Sequence, residues 1–332
     1  EGCHPRILKA LTDSNMVQQA GYGNDDYSLE AAELIKAECK HPHAAVHFVS
    51  GGTQANLLVI SALLKPYESV ISADTGHIFT NEAGAIEATG HKVHGVPTED
   101  GKLTPEKISA MIAQHQNKPH QLKQRMVYIS NATELGTIYS LDELKALSDY
   151  CKRNELLLFM DGARLAQALV AKPSNVTMAD VAALTDVFYL GGTKNGALLG
   201  EALIINNTDL QRDFDFNVKQ KGALLAKGRL LGLQFRELLT DGLYLELATT
   251  ANRHAMELKH AFVEAGHTLL ADTFTNQIFP VLPKPLIDEL LKEFDFYVWR
   301  DLGDRAAIRL ITSWATPQDA IKKLCNRIAE QS

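Results

Sequence analysis

Two kinds of hydrophobic pattern alternate along the chain. Short runs of almost unbroken apolar, β-prone residues fall at 45–50 (AVHFVS), 69–73 (SVISA), 92–96 (KVHGV), 126–130 (MVYIS), 156–160 (LLLFM), 187–191 (VFYLG) and 202–206 (ALIIN). These predict seven strands. Between most of them the apolar residues recur at helical spacing, with start signals such as Thr104-Pro105 before a helix over 106–115 and Ser140-Leu-Asp-Glu143, a capping box, before one over 144–152. Strand–helix alternation of this kind predicts an α/β fold with a mostly parallel seven-stranded sheet.

The rhythm changes towards the C-terminus. A long helical stretch over 220–240 and another over 248–265, stopped by Gly266, lead into a strand near 276–282, a helix near 286–293, strands at 296–300 and 307–312, and a last helix opened by Thr316-Pro317. This predicts a smaller α+β domain over 244–332 beside a large domain over 41–243. Residues 1–40, with a helix over 28–39 after the turn-rich Gly21-Tyr-Gly-Asn-Asp25, are expected to pack on the small domain or an interface. At 332 residues two domains are the natural expectation, because single cores stop growing near ~250–300 residues.

Charge and cysteine content narrow the function. A net charge of −7 argues against nucleic acid as a partner, since phosphate backbones select basic surfaces. No apolar run approaches the ~18 residues of a membrane span, so no membrane association is expected. Cys3, Cys39, Cys151 and Cys325 lie far apart with no CxxC pair, which points to reduced thiols in the cytoplasm. His41-Pro-His43 and His47 lack the i, i+4 spacing of a zinc motif, so no metal site is expected.

Three strand ends carry candidate chemistry. Strand 45–50 runs into Ser50-Gly51-Gly52-Thr53-Gln54 and a helix, where backbone N–H groups and the Thr53 hydroxyl can converge on a phosphate. Strand 156–160 ends in Asp161-Gly-Ala-Arg164. Alone, that aspartate reads as a helix N-cap, but ligands of open α/β sheets gather at the carboxyl ends of strands. Strand 187–191 ends in Gly191-Gly192-Thr193-Lys194-Asn195-Gly196, 33 residues after the aspartate. An isolated lysine is normally a surface group, yet here it can reach the same crevice, where desolvation lowers its pKa, and the glycines are expected to let a flat ring approach. A phosphate cradle, a strand-end Asp and a strand-end Lys meet the needs of pyridoxal 5′-phosphate (PLP), which requires an amine for imine formation and a carboxylate to keep its pyridine nitrogen protonated.

With Gly52-Thr-Gln-Ala-Asn56, Asp161-Gly-Ala-Arg164 and Gly192-Thr-Lys-Asn195, the chain resembles the threonine aldolase and β-eliminating lyase family of fold-type I PLP enzymes, from His4-Pro-Arg-Ile-Leu8 through Arg309. The resemblance implies a PLP-dependent aldolase cleaving L-threonine or L-allo-threonine to glycine and an aldehyde. A β-eliminating lyase or aminotransferase is the alternative, and a PLP-binding regulatory protein stands behind both. It further implies Lys194 as the Schiff-base lysine, Asp161 as the ring-nitrogen partner, and Gly52, Thr53 and Gln54 as part of the cofactor cradle. His77, in Asp74-Thr-Gly-His-Ile78, matches a histidine that stacks on the ring and lies near the substrate hydroxyl, whose proton it takes directly or through a water. Glu82 completes the family's His-x-x-x-x-Glu pattern. Arg164 and Arg309 match the clamp on the substrate carboxylate, Arg164 also lying close to the cofactor, and Arg229, in Lys227-Gly-Arg-Leu230, matches an arginine reaching the cofactor phosphate of a neighbouring subunit. A homodimer or homotetramer with sites at the interface follows from the same resemblance.

The sequence departs from the family twice. It opens Glu-Gly-Cys, and in the family a serine that helps to bind the carboxylate stands just ahead of this stretch; a few native residues are expected before it. Where aldolases have Thr-His-Asn, this chain has Ser130-Asn-Ala-Thr-Glu134, with Asn131 expected at the position of the histidine.

Overall fold

All seven apolar runs form strands of one sheet in the computed structural model, which describes residues 1–330. They are β1 (Ala45–Val49), β2 (Glu68–Ala73), β3 (Val93–Val96), β4 (Lys123–Ser130), β5 (Leu157–Asp161), β6 (Val187–Gly191) and β7 (Glu201–Ile205). Their order is β1-β7-β6-β5-β4-β2-β3. Pairings from β6 to β3 are parallel, while β7 runs antiparallel to both β6 and β1.

Alternate residues of each strand feed opposite cores, as the two-residue repeat of a strand requires. Val127, Ile129, Leu158, Met160, Phe188 and Leu190 face one layer, built with helices Asp26–Glu38, Leu141–Arg153 and Arg229–Leu239. Met126, Tyr128, Leu157, Phe159, Val187 and Tyr189 face the other, against helices Gly52–Leu63 and Phe214–Gln220. Cover on both faces is why these strands read as unbroken apolar runs. The capping box at Ser140 forms as predicted, Ser140 and Glu143 each satisfying the other's backbone N–H.

The C-terminal part builds a second, antiparallel sheet from β8 (Thr268–Leu269), β9 (Gln277–Ile278), β10 (Pro280–Pro283), β11 (Tyr297–Leu302) and β12 (Arg305–Ile311). Helices Leu243–Glu264 and Gln318–Ala329 cover it through Leu258, Phe262, Ile321 and Leu324. The single strand predicted over 276–282 is two short ones, and the stretch predicted as helical over 220–240 breaks between Gln220 and Arg229.

Residues 1–40 contact both domains. Helices Pro5–Ser14 and Asp26–Glu38 pack chiefly on helix Arg229–Leu239, with Arg6 paired to Glu237 at 3.1 Å. The segment also meets the second domain and the active region, since His4 lies edge-on to Trp314 and donates its backbone N–H to the Gly196 carbonyl at 2.8 Å.

Candidate active site

Strand register brings the functional ends together. Ser130 of β4 pairs with Asp161 of β5, while Glu201, the first residue of β7, pairs with both Gly191 of β6 and Val49 of β1. A cavity of about 590 Å3 opens at these ends, lined among others by Gly52, Thr53, His77, Asp161, Arg164 and Lys194 from the large domain, with Arg309 from the second sheet. Seven residues that the sequence placed in the site are thus brought to one cavity.

Asp161 is buried and held by three donors: its Oδ1 accepts from the Ala163 N–H at 3.0 Å, and its Oδ2 from the Tyr128 hydroxyl at 2.5 Å and Asn56 Nδ2 at 3.5 Å. Asn56 Nδ2 also donates to Glu82 Oε1 at 2.7 Å, and His77 Nδ1 lies 2.9 Å from the same oxygen. Glu82 thus links His77 to Asn56, which touches Asp161. The hydrogen bond to Glu82 raises the His77 pKa against the opposing effect of burial.

Lys194 opens onto the cavity, yet the protein around it lowers its pKa by desolvation, with the Arg164 charge adding to the effect. Nearby, the buried Glu201 accepts from the Gly192 N–H at 2.8 Å; burial pushes its carboxyl up to about 8, partly offset by that hydrogen bond and by the charge of Lys194. Arg164 is lowered to about 10, first by burial and then by Arg309, and its Nε has no partner in the protein. Arg309 is held by Gln277 Oε1, 3.1 Å from its Nε, and lies 5.2 Å from the Trp299 ring centre.

The glycines act differently from expectation. At Gly191 a Cβ would stand 2.4 Å from the Ala163 carbonyl oxygen, and at Gly192 2.7 Å from that of Gly200. They let strand-end loops pack on one another, where sequence reading had them making room for a ring. Gly52 opens a helix with no side-chain cap, so its first N–H groups are left for a ligand, and a Cβ there would come within 2.9 Å of the Tyr189 hydroxyl.

Two predicted cofactor ligands lie outside this cavity within a single chain. Gln54 folds back, its Oε1 accepting from the Ser50 N–H at 3.0 Å and the Ser50 hydroxyl at 2.9 Å, so it shapes the loop. Arg229 binds the carbonyls of Val17 and Ser14 and lies over Tyr27. Asn131 is also turned away: its Oδ1 accepts from the Tyr139 N–H at 3.2 Å, and Ala132, Thr133 and Glu134 form the wall instead.

Sequence reasoning did not pick out Glu201, Glu134, Tyr189, Tyr297 or Trp299 as site residues. A signal for Glu201 was present, a carboxylate opening an otherwise apolar strand. Tyr297 and Trp299 carried none, because only the docking of the second sheet brings β11 over the cavity. No group of three or more His, Cys, Asp or Glu suited to a metal occurs among the described residues.

A sheet of this order with a lysine and an aspartate at neighbouring strand ends is the architecture of fold-type I PLP enzymes. Aspartate aminotransferase of Thermus thermophilus shares the fold at 15% identity, with a TM-score of 0.73 over 99% of this chain and 88% of that one. The chain belongs to the beta-eliminating lyase family, whose family model matches residues 5–284. It is 36% identical to the low specificity L-threonine aldolase of Pseudomonas aeruginosa, over 98% of this chain and 94% of the relative. A solved threonine aldolase of Leishmania major is 44% identical, with a TM-score of 0.98, covering 100% of this chain and 97% of that one.

Proposed function

We propose that the chain is a PLP-dependent aldolase that cleaves a β-hydroxy-α-amino acid, L-threonine or L-allo-threonine, to glycine and an aldehyde. The observation that carries the cofactor reading is the convergence of Lys194, Asp161 and the uncapped end of helix Gly52–Leu63 on one cavity. The residues fit the group: an amine of lowered pKa, a buried carboxylate, free helix N–H groups and an arginine Nε without a protein partner. When bound, PLP supplies an aldehyde that captures amines and a protonated ring that accepts the electron pair of a breaking Cα bond.

Around it the chain's own groups bind, orient and move protons. Gly52 and Thr53 donate to the phosphate. Lys194 offers an amine whose pKa desolvation lowers, with Glu201 beside it to hold a proton. Asp161 keeps a proton on the ring nitrogen, a task its bonds from Tyr128, Asn56 and the Ala163 N–H prepare by fixing the carboxylate in place. His77 stacks on the ring. Arg164 and Arg309 hold the substrate carboxylate, which decides which bond at Cα is aligned for cleavage.

The protein acts as a homodimer or homotetramer in the cytoplasm. Met16, Val17 and Tyr22 are exposed apolar residues in the segment whose carbonyls Arg229 holds, and this surface suits a second subunit. Arg229 there reaches the neighbouring subunit's phosphate.

Incubation with L-threonine and L-allo-threonine tests the activity. Glycine and acetaldehyde in equal amounts support it; 2-oxobutanoate with ammonia assigns the chain to β-elimination instead, because that path removes the α-proton and expels the hydroxyl.

A further inference from the structure

The segment Ser130–Glu134 brings a carboxylate to the cavity, in the stretch where the family carries a histidine and Asn131 was expected in its place. Glu134 Oε1 accepts two hydrogen bonds, from the His77 backbone N–H at 2.9 Å and from the Ser130 hydroxyl at 2.7 Å. Those bonds fix the carboxyl in the cavity wall, in the same cavity as Arg164 and Arg309. A carboxylate so held is tied to the His77 backbone and shares the cavity with the carboxylate clamp, where the rest of an amino-acid substrate must extend. We propose that Glu134 is the base that takes the β-hydroxyl proton during cleavage.

This rests on the aldolase reading above. The O–H bond breaks as Glu134 accepts the proton, the carbon–oxygen bond becomes the carbonyl of the departing aldehyde, and the Cα–Cβ electron pair goes to Cα, which leaves as glycine once protonated. His77 suits the task less well, since Glu82 already occupies its Nδ1 and favours its charged form. The groups facing Glu134 are His77, Asp161, Tyr128, Tyr139, Arg164 and Arg309. Burial, the largest influence, lifts the Glu134 pKa and Asp161 adds to it, while the bond from Ser130 and the charge of His77 oppose. A carboxyl raised towards neutrality is better matched to taking and returning a proton than an ordinary one.

The test compares the wild-type holoenzyme with Glu134→Gln, whose amide oxygen can still accept from His77 and Ser130. Threonine cleavage should fall by about 100-fold or more, the usual reach of a lost general base. Spectral titration with glycine should give the same Kd, and exchange of the glycine α-proton in heavy water should stay within about twofold, because neither involves the β-hydroxyl. The rise of wild-type kcat with pH through a carboxyl titration should vanish in Glu134→Gln, and Glu134→Asp should recover part of the lost rate. Unchanged cleavage in Glu134→Gln overturns the proposal. Equal losses of cleavage, glycine affinity and exchange overturn it too, leaving Glu134 as a prop for the His77 loop. A wild-type protein that exchanges the glycine proton but releases no glycine from either threonine isomer fails at the aldolase reading itself, whatever the variant does.

Discussion

The two walls of the cavity are built to different standards. The wall formed by strand ends β5, β6 and β7 holds its carboxylates buried and bonded: Asp161 takes three donors and Glu201 takes the Gly192 N–H, both on strands of the seven-stranded sheet. The facing wall comes from the loop after β4 and from β11 and β12 of the second sheet, where Tyr297 is 70% exposed and Arg309 rests on Gln277 and Trp299. A rigid wall suits chemistry that must always be the same. An assembled, partly open wall suits choosing the substrate, since its geometry depends on how the two sheets dock.

The rigid wall should be the more sensitive to mutation. Asp161→Ala is expected to lower kcat by about 100-fold or more, because a charge-assisted hydrogen bond in a water-poor site is lost. It should also cost about 1–3 kcal/mol of stability by leaving the buried Tyr128 hydroxyl unpaired. Near-normal turnover with bound cofactor would contradict the electron-sink role. On the open wall, Trp299→Ala removes the face on which Arg309 lies together with an edge-on contact to Phe279, and KM for threonine should rise about three- to tenfold with kcat little changed, the range of a cation–π contact. A loss of kcat as large as that of Asp161→Ala would erase the distinction between the walls.

Legibility in the sequence follows the same division. The seven strands showed themselves because both faces of the sheet are covered, Asp161 because a polar residue ending such a run stands out, and Lys194 because it follows another such run within three residues. Glu134 was hidden in a loop: which of Asn131 and Glu134 faces the cavity depends on the Asn131 bond to the Tyr139 backbone, a tertiary contact with no mark in the motif. Gln54 sits beside Gly52 and Thr53, which line the cavity, and its hydrogen bonds to Ser50 turn it away. Arg309 was reached through resemblance, while its neighbours Tyr297 and Trp299 depend on domain docking that no local pattern encodes.

Between the walls lies His77, and its link to Glu82 can be probed by pH. Because Glu82 raises the His77 pKa above the ordinary 6.5, the pair contributes stability that is fully present below that value and lost as pH rises through the raised one. Glu82→Gln should therefore lower Tm more at pH 6 than at pH 9. An equal drop at both values would show that Glu82 acts through packing alone.

The smallest effect is expected where a second subunit is involved. Heterodimers of Arg229→Ala and Lys194→Ala chains should regain part of the activity that neither parent has, since one site then contains both residues. Verified heterodimers without any recovery would confine Arg229 to holding Ser14 and Val17 in its own chain.

The central claim is that Lys194 anchors the cofactor, and borohydride reduction of the PLP-loaded protein followed by peptide mapping tests it most directly. The account predicts that the cofactor becomes permanently attached to the peptide containing Lys194 and that the yellow colour of the protein is lost as it does so. Attachment to another lysine, or none at all, would contradict it.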